Sequence, residues 1–243
     1  MWLKITTNYS PNFSIPKRPK KKIKFIILHY TGMKKELDAI NRLCNPKSKV
    51  SSHYFVKKSG KVINLVPDSY VAWHAGKSRW GKFNSLNKYS IGIEIQNSGH
   101  DNNYENFSLK QIKSLRLLLK KLIFIYKISP KNILGHSDIA PNRKKDPGEK
   151  FPWKKLSKFN LVKWHNLNEK KLKNLRSVKL NNDSKLKFLK NLNKIGYKKI
   201  HSQNLVFNMK ILAKAFQRRY RPSLINGVID KECLYISKSL VKI

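Results

Sequence analysis

The chain has 243 residues, of which 53 are Lys or Arg and 13 are Asp or Glu, giving a formal charge of +40. That length supports one core of ordinary size plus a small second unit. The charge draws the protein towards polyanions such as nucleic acid, anionic lipid or an acidic polymer. Cys44 and Cys233 stand far apart and outside any metal spacing, which argues against a disulfide framework and leaves room for one bridge at most.

The lysines are scattered through every segment, accompanied by many Asn and Ile. An AT-rich coding sequence produces that mixture with no role in binding, so both a functional basic surface and compositional drift stay open. No nucleic-acid motif is recognisable. The opening residues are too polar for a signal peptide, no early cysteine offers a lipid anchor, and the apolar runs are too short to span a bilayer. The expectation is a soluble, cytosolic monomer, with the periplasm or cell envelope as the alternative location.

Residues 1–19 read as an irregular basic lead-in, and Pro16 to Lys22 as a solvated connector or a polyanion contact. The apolar run Phe25 to Leu28 predicts a buried strand that delivers His29 to the sheet edge. A helix is expected over Lys35–Cys44, stopped by Asn45-Pro46. A β-hairpin follows, from His53 to Lys57 and from Lys61 to Val66, around Ser59-Gly60. The loop Ala72-Trp73-His74-Ala75-Gly76, continued by Trp80, is rich in Trp for a polar region. Its indoles either line a ligand site or fold back over the core.

Ser90 to Asn97 alternates, with Ile91, Ile93 and Ile95 on one face and Gly92, Glu94 and Gln96 on the other. A carboxylate inside a strand needs a positive or protic partner. Gly92 leaves room beside Glu94 for a ligand or water, and the plain alternative is a Glu–Lys pair. Ser108 caps a helix running to Ile125, with Gln111 completing a capping box, and Ser129-Pro130 ends it. Asn132 to Leu134 is a last short strand. Residues 166–183 read as a linker. Beyond them, helical patterns at Leu186–Ile195, Met209–Tyr220 and about Lys231–Leu240 predict a small all-α three-helix unit over 184–243, too small for its own active site and suited to binding.

Leu134 to Trp153 sets His136, Asp138, Lys144 and Asp146 on Gly- and Pro-broken backbone, where a helix should not run and side chains can converge. Catalytic zinc takes three protein ligands and leaves one position open. His136 and Asp146 supply two candidates, and His29 is the best donor of a second imidazole. His53 reads as packed or hydrogen-bonded, His74 as facing a ligand, and His100, His165 and His201 as surface residues.

His29-Tyr30-Thr31, the Ala72–Gly76 loop, Ser90–Asn97 and Gly135-His-Ser-Asp-Ile-Ala-Pro with the following Arg-Lys-Lys-Asp-Pro-Gly resemble, in the same order, the zinc-dependent N-acetylmuramoyl-L-alanine amidases of the AmpD/AmiD type. The likeness covers about residues 20–165. It implies an α/β fold, a mixed central sheet flanked by helices, followed by the helical unit, whose Ala215-Phe216-Gln217 and Asn226–Asp230 resemble a peptidoglycan-binding module. It further implies one Zn2+ on His29, His136 and Asp146, Glu94 as catalytic carboxylate and Lys144 on the transition-state oxyanion. Trp73, His74, Ala75 and Asn97 are expected to meet a peptidoglycan or muropeptide substrate. Asp146 is preferred over Asp138 as ligand, because an Asp two residues from His136 more easily orients the backbone or hydrogen-bonds from behind. The rival readings are a non-catalytic peptidoglycan-recognition protein and a basic nucleic-acid-binding protein. Whether intact wall or soluble anhydro-muropeptide is cleaved stays open at this level.

Overall fold

The computed structural model describes residues 3–199 and 204–242, so the reading of His201 lies outside the described residues. The strands are β1 (Ile5–Thr7), β2 (Phe13–Ser14), β3 (Phe25–Tyr30), β4 (Tyr54–Val56), β5 (Val62–Asn64), β6 (Val71–Ala72), β7 (Arg79–Trp80), β8 (Phe83–Asn84), β9 (Ser90–Ile95) and β10 (Ile133–Gly135). The helices are α1 (Glu36–Cys44), α2 (Leu109–Tyr126), α3 (His136–Ile139), α4 (Trp153–Ser157), α5 (Glu169–Leu175), α6 (Asn182–Ile195), α7 (Leu205–Tyr220) and α8 (Lys231–Lys242). No helix among the described residues is long and apolar enough to cross a membrane.

Six strands form a mixed sheet in the order β1-β5-β4-β9-β3-β10. Within it β4 and β5 are antiparallel, as the hairpin reading requires, and the other pairings are parallel. Alternation along β3 and β9 decides what each face carries. Ile26, Leu28, Ile91, Ile93 and Ile95 pack under Leu115, Leu118, Leu119 and Leu122 of α2. That helix begins at Ser108, whose hydroxyl accepts from the Gln111 backbone while Gln111 Oε1 accepts from the Ser108 backbone. Such a box is worth about 1 kcal/mol.

The opposite face starts with Phe25 and Ile27 and is covered by the C-terminal helices: Phe25, Ile27, Leu134 and Ile139 share one apolar cluster with Leu172, Phe188, Phe216 and Leu240. Continuing the alternation, His29 and Glu94 fall on this second face, directly opposite each other in register. Parallel β3, β9 and β10 all end here, and the open end of parallel strands is where α/β sheets place their sites.

Four expectations change. The lead-in is part of the fold: β1 extends the sheet beside β5, and Arg18 is buried, donating to the carbonyls of Asp68, Asn87 and Ser90. The 166–183 stretch contains α5, whose Leu172 enters the helical core and whose neighbour Arg176 pairs with Glu232. In addition, His136–Ile139 does form a helical turn, because Asp138 Oδ2 accepts from the Gly135 backbone at 2.8 Å and caps it. His100 and His165 are also not free surface residues. His100 bonds Tyr30 and Glu149 at 2.8 and 3.0 Å, and His165 is buried against Trp164.

Candidate metal centre and active-site cleft

Three chain segments meet at the ends of β3 and β10. His29 is the penultimate residue of β3, His136 opens the turn after β10, and Asp146 returns because its carbonyl accepts from the Ser137 backbone at 2.9 Å. His29 Nδ1 lies 3.0 Å from His136 Nδ1 and 3.0 Å from Asp146 Oδ2, and His136 Nδ1 lies 3.1 Å from the same oxygen. All three residues are buried.

The far nitrogens show which atoms carry protons. His136 Nε2 lies 3.1 Å from the Ala75 carbonyl, which can only accept, and 3.3 Å from Arg143 Nη2; donation to the nearer carbonyl leaves Nδ1 with a lone pair towards the centre. His29 Nε2 faces His74 Nδ1 at 3.1 Å, and with His74 as the acceptor His29 Nδ1 is again left free. Two imidazole lone pairs and a carboxylate oxygen converging on one point repel unless a cation sits among them. The edge of a tetrahedron with bonds of about 2.0–2.1 Å is about 3.3–3.4 Å, close to the spacing seen. These residues form the one His/Cys/Asp/Glu group among the described residues with metal-binding geometry. Asp138 is not in it. Its oxygens go to the Gly135 backbone, Arg219 and Tyr197.

The centre lies in a cleft of about 460 Å³ whose lining includes Arg42, Trp73, Glu94, Lys144 and Lys145. Glu94 Oε2 is buried with no hydrogen-bond partner among the described residues. Burial and the Asp146 carboxylate push the Glu94 pKa well up, and Lys144 opposes them. Among the described residues no Lys hydrogen-bonds Glu94 as the plain reading of that residue would have it.

The four residues expected to meet substrate divide. Trp73 is half-buried, lines the cleft and anchors its indole N–H on Ser14 Oγ at 2.8 Å. Trp80 takes the other course open to the loop and folds onto Tyr197. Ala75 is fully buried and acts through its carbonyl on His136. Asn97 is also buried; its amide donates to the Glu105 carbonyl and its oxygen accepts from the Gly99 backbone, so its side chain holds a loop instead of a ligand. His74 lies beneath His29, occupying the space that Gly92 leaves. His53, read as packed, is fully buried; its Nδ1 accepts from the Gly92 backbone.

Burial, reinforced by His136, lowers the His29 pKa to about 4, and burial holds His53 and His74 well below the ordinary imidazole value. An unfolded chain takes up protons on these rings below about pH 6.5 while the fold refuses them, so stability falls as pH drops from there. For His29 alone the loss approaches roughly 3 kcal/mol by pH 4. Asp146 acts in the same direction at lower pH: burial opposes its charge, but His136 and His29 hold its pKa well below the usual carboxylate range. Chelator-treated protein is therefore expected to melt at markedly lower temperature at pH 4.5 than at pH 7.5. A flat melting profile between those values would contradict the neutral buried rings.

Comparison with known proteins agrees with this geometry. Residues 19–149 match the Amidase_2 family model, described as N-acetylmuramoyl-L-alanine amidase. The chain is 33% identical over 233 residues to N-acetylmuramoyl-L-alanine amidase AmiD of Escherichia coli (strain K12), covering 91% of this chain and 83% of that one. Its fold is similar to the structure of E. coli AmiD in complex with anhydro-N-acetylmuramic acid-L-Ala-D-gamma-Glu-L-Lys, with a TM-score of 0.79 at 31% identity over 91% of this chain and 89% of that one. It is also similar to AMPDH3 from Pseudomonas aeruginosa in complex with anhydromuramic pentapeptide, with a TM-score of 0.81 at 29% identity and 96% coverage of each chain. On these matches and on the convergence of its strand ends, the chain belongs to the N-acetylmuramoyl-L-alanine amidase family.

Proposed function

We propose that this protein hydrolyses the amide between the lactyl carbonyl of N-acetylmuramic acid, including its anhydro form, and L-alanine, with one Zn2+ held by His29, His136 and Asp146. The observation that carries the reading is the pairing of that donor set with Glu94, whose Oε2 is buried in the same cleft with no hydrogen-bond partner among the described residues. The imidazole and carboxylate donors suit zinc, which when bound acts as a Lewis acid towards water and carbonyl oxygen.

Glu94 takes the proton of the attacking water on its free carboxylate oxygen and delivers it to the departing amine of L-alanine. Its raised proton affinity suits holding the proton until the amine departs. Lys144 brings an ammonium to the charge that develops on the carbonyl oxygen. Trp73 offers an apolar wall, and Arg42 and Lys145 suit the carboxylates of a stem peptide. The complexes of AmiD and AMPDH3 with anhydro-muropeptides support soluble anhydro-muropeptide as a substrate.

The test is digestion of a purified anhydro-muropeptide and of sacculi side by side, with zinc and with chelator, reading products by mass. Release of the intact L-alanine-led peptide with zinc, lost with chelator and restored by zinc, is expected. No release from either substrate with zinc present would refute the activity.

A further inference from the structure

His74, which lines the same cleft, is well placed to act on the metal centre through His29. Its ring packs onto Gly92, where an added Cβ would stand 2.4 Å from His74 Cγ, so the glycine exists in the strand to admit this ring. Asn87 Oδ1 holds the backbone on both sides, accepting from the His74 and Ala75 N–H groups at 3.1 and 2.6 Å. His74 Nδ1 lies 3.1 Å from His29 Nε2, and His74 Nε2 lies 3.2 Å from Ser90 Oγ. The fully buried Ser90 hydroxyl in turn donates to the Leu86 carbonyl at 2.6 Å.

The direction of this chain follows from its last member. A carbonyl cannot donate, so the single Ser90 hydrogen points to Leu86 and Ser90 Oγ must accept from His74 Nε2. That puts the one proton of neutral His74 on Nε2 and leaves Nδ1 as an acceptor. His29 then carries its proton on Nε2, and its Nδ1 lone pair turns to His136 and Asp146. At His136 the Ala75 carbonyl, 3.1 Å from Nε2, is the acceptor that plays the corresponding part, and Arg143 Nη2 stands 3.3 Å from the same nitrogen.

We propose that His74 is a positioning residue that fixes the tautomer and ring orientation of the metal ligand His29 through a one-way relay to Ser90 and the Leu86 carbonyl, a role that rests on the metal reading above. Zinc affinity, measured by competition with a chromophoric chelator, tests it on the full-length protein. His74→Leu fills the space under Gly92 without an acceptor and is expected to bind zinc about 10- to 100-fold more weakly. His74→Asn places Oδ1 where Nδ1 stood and is expected to recover most of that loss. Ser90→Ala, which keeps the packing and frees both tautomers of His74, is expected to lose on the order of fivefold. The visible spectrum of the cobalt-loaded protein should shift in His74→Leu and return in His74→Asn.

Should His74→Leu fail to fold, Ser90→Ala and His74→Asn decide the matter. Wild-type zinc affinity in both His74→Leu and Ser90→Ala would overturn the proposal and leave the metal centre standing. A wild-type protein that binds no zinc would overturn the metal reading and this one with it.

Discussion

Glu94→Gln is expected to lose about 10²- to 10⁴-fold in kcat while binding zinc as the wild type does. The substitution keeps the volume and the strand and removes only the capacity to take and return a proton. The same change is expected to raise stability by about 1 kcal/mol, because a buried carboxylate oxygen with no partner is a cost to the fold. Loss of activity with added stability is the signature of a residue kept for chemistry, and a structural Glu paired with lysine would give the reverse on both counts. Steady-state rates on anhydro-muropeptide and melting of the zinc-loaded proteins provide the check. A rate near wild type would remove Glu94 from the reaction.

The ends of the parallel strands were legible in the sequence because period-2 alternation is local information. The run before His29 and the isoleucines around Glu94 place both side chains relative to their own strands, and only the register that sets them opposite each other had to come from the fold. The choice between Asp138 and Asp146 is likewise answered by distances that no spacing supplies.

What stayed hidden has a common physical cause: a missing side chain or a buried charge is defined by what comes to it from far away. Gly92 reads as room for a ligand until the 72–76 loop is laid over it, and then the room belongs to His74. Arg18 and Arg219 are indistinguishable by composition from the other basic residues among the 53 Lys and Arg, yet both are nearly inaccessible and bonded to backbone carbonyls across long stretches of chain. The α5 helix escaped because its single core residue, Leu172, shows no periodicity.

Asp138→Ala is expected to destabilise the whole chain by about 3–5 kcal/mol and to weaken zinc binding, although Asp138 is no metal ligand. Its two oxygens, 1% exposed, accept from the Gly135 backbone, from Arg219 at 2.6 Å and from the Tyr197 hydroxyl at 2.6 Å. Arg219 belongs to α7 and is itself 2% exposed, lying over the Trp153 ring with a second bond to the Ile133 carbonyl. Removing the carboxylate strands that guanidinium in a low-dielectric seam, where the lost partner matters more than the pair's net worth. It also uncaps the turn that carries His136, so the metal centre loosens as the seam does. The double variant Asp138→Leu, Arg219→Met removes both charges and is expected to regain much of the stability but not the capped turn, leaving zinc affinity low. Urea unfolding followed by far-UV circular dichroism and by tryptophan fluorescence measures both. Because the second face of the sheet and the helical unit share one apolar cluster, the two signals are expected to change together. Separate transitions, or a single variant as stable as wild type, would mean that the helices ride on the amidase fold without supporting it.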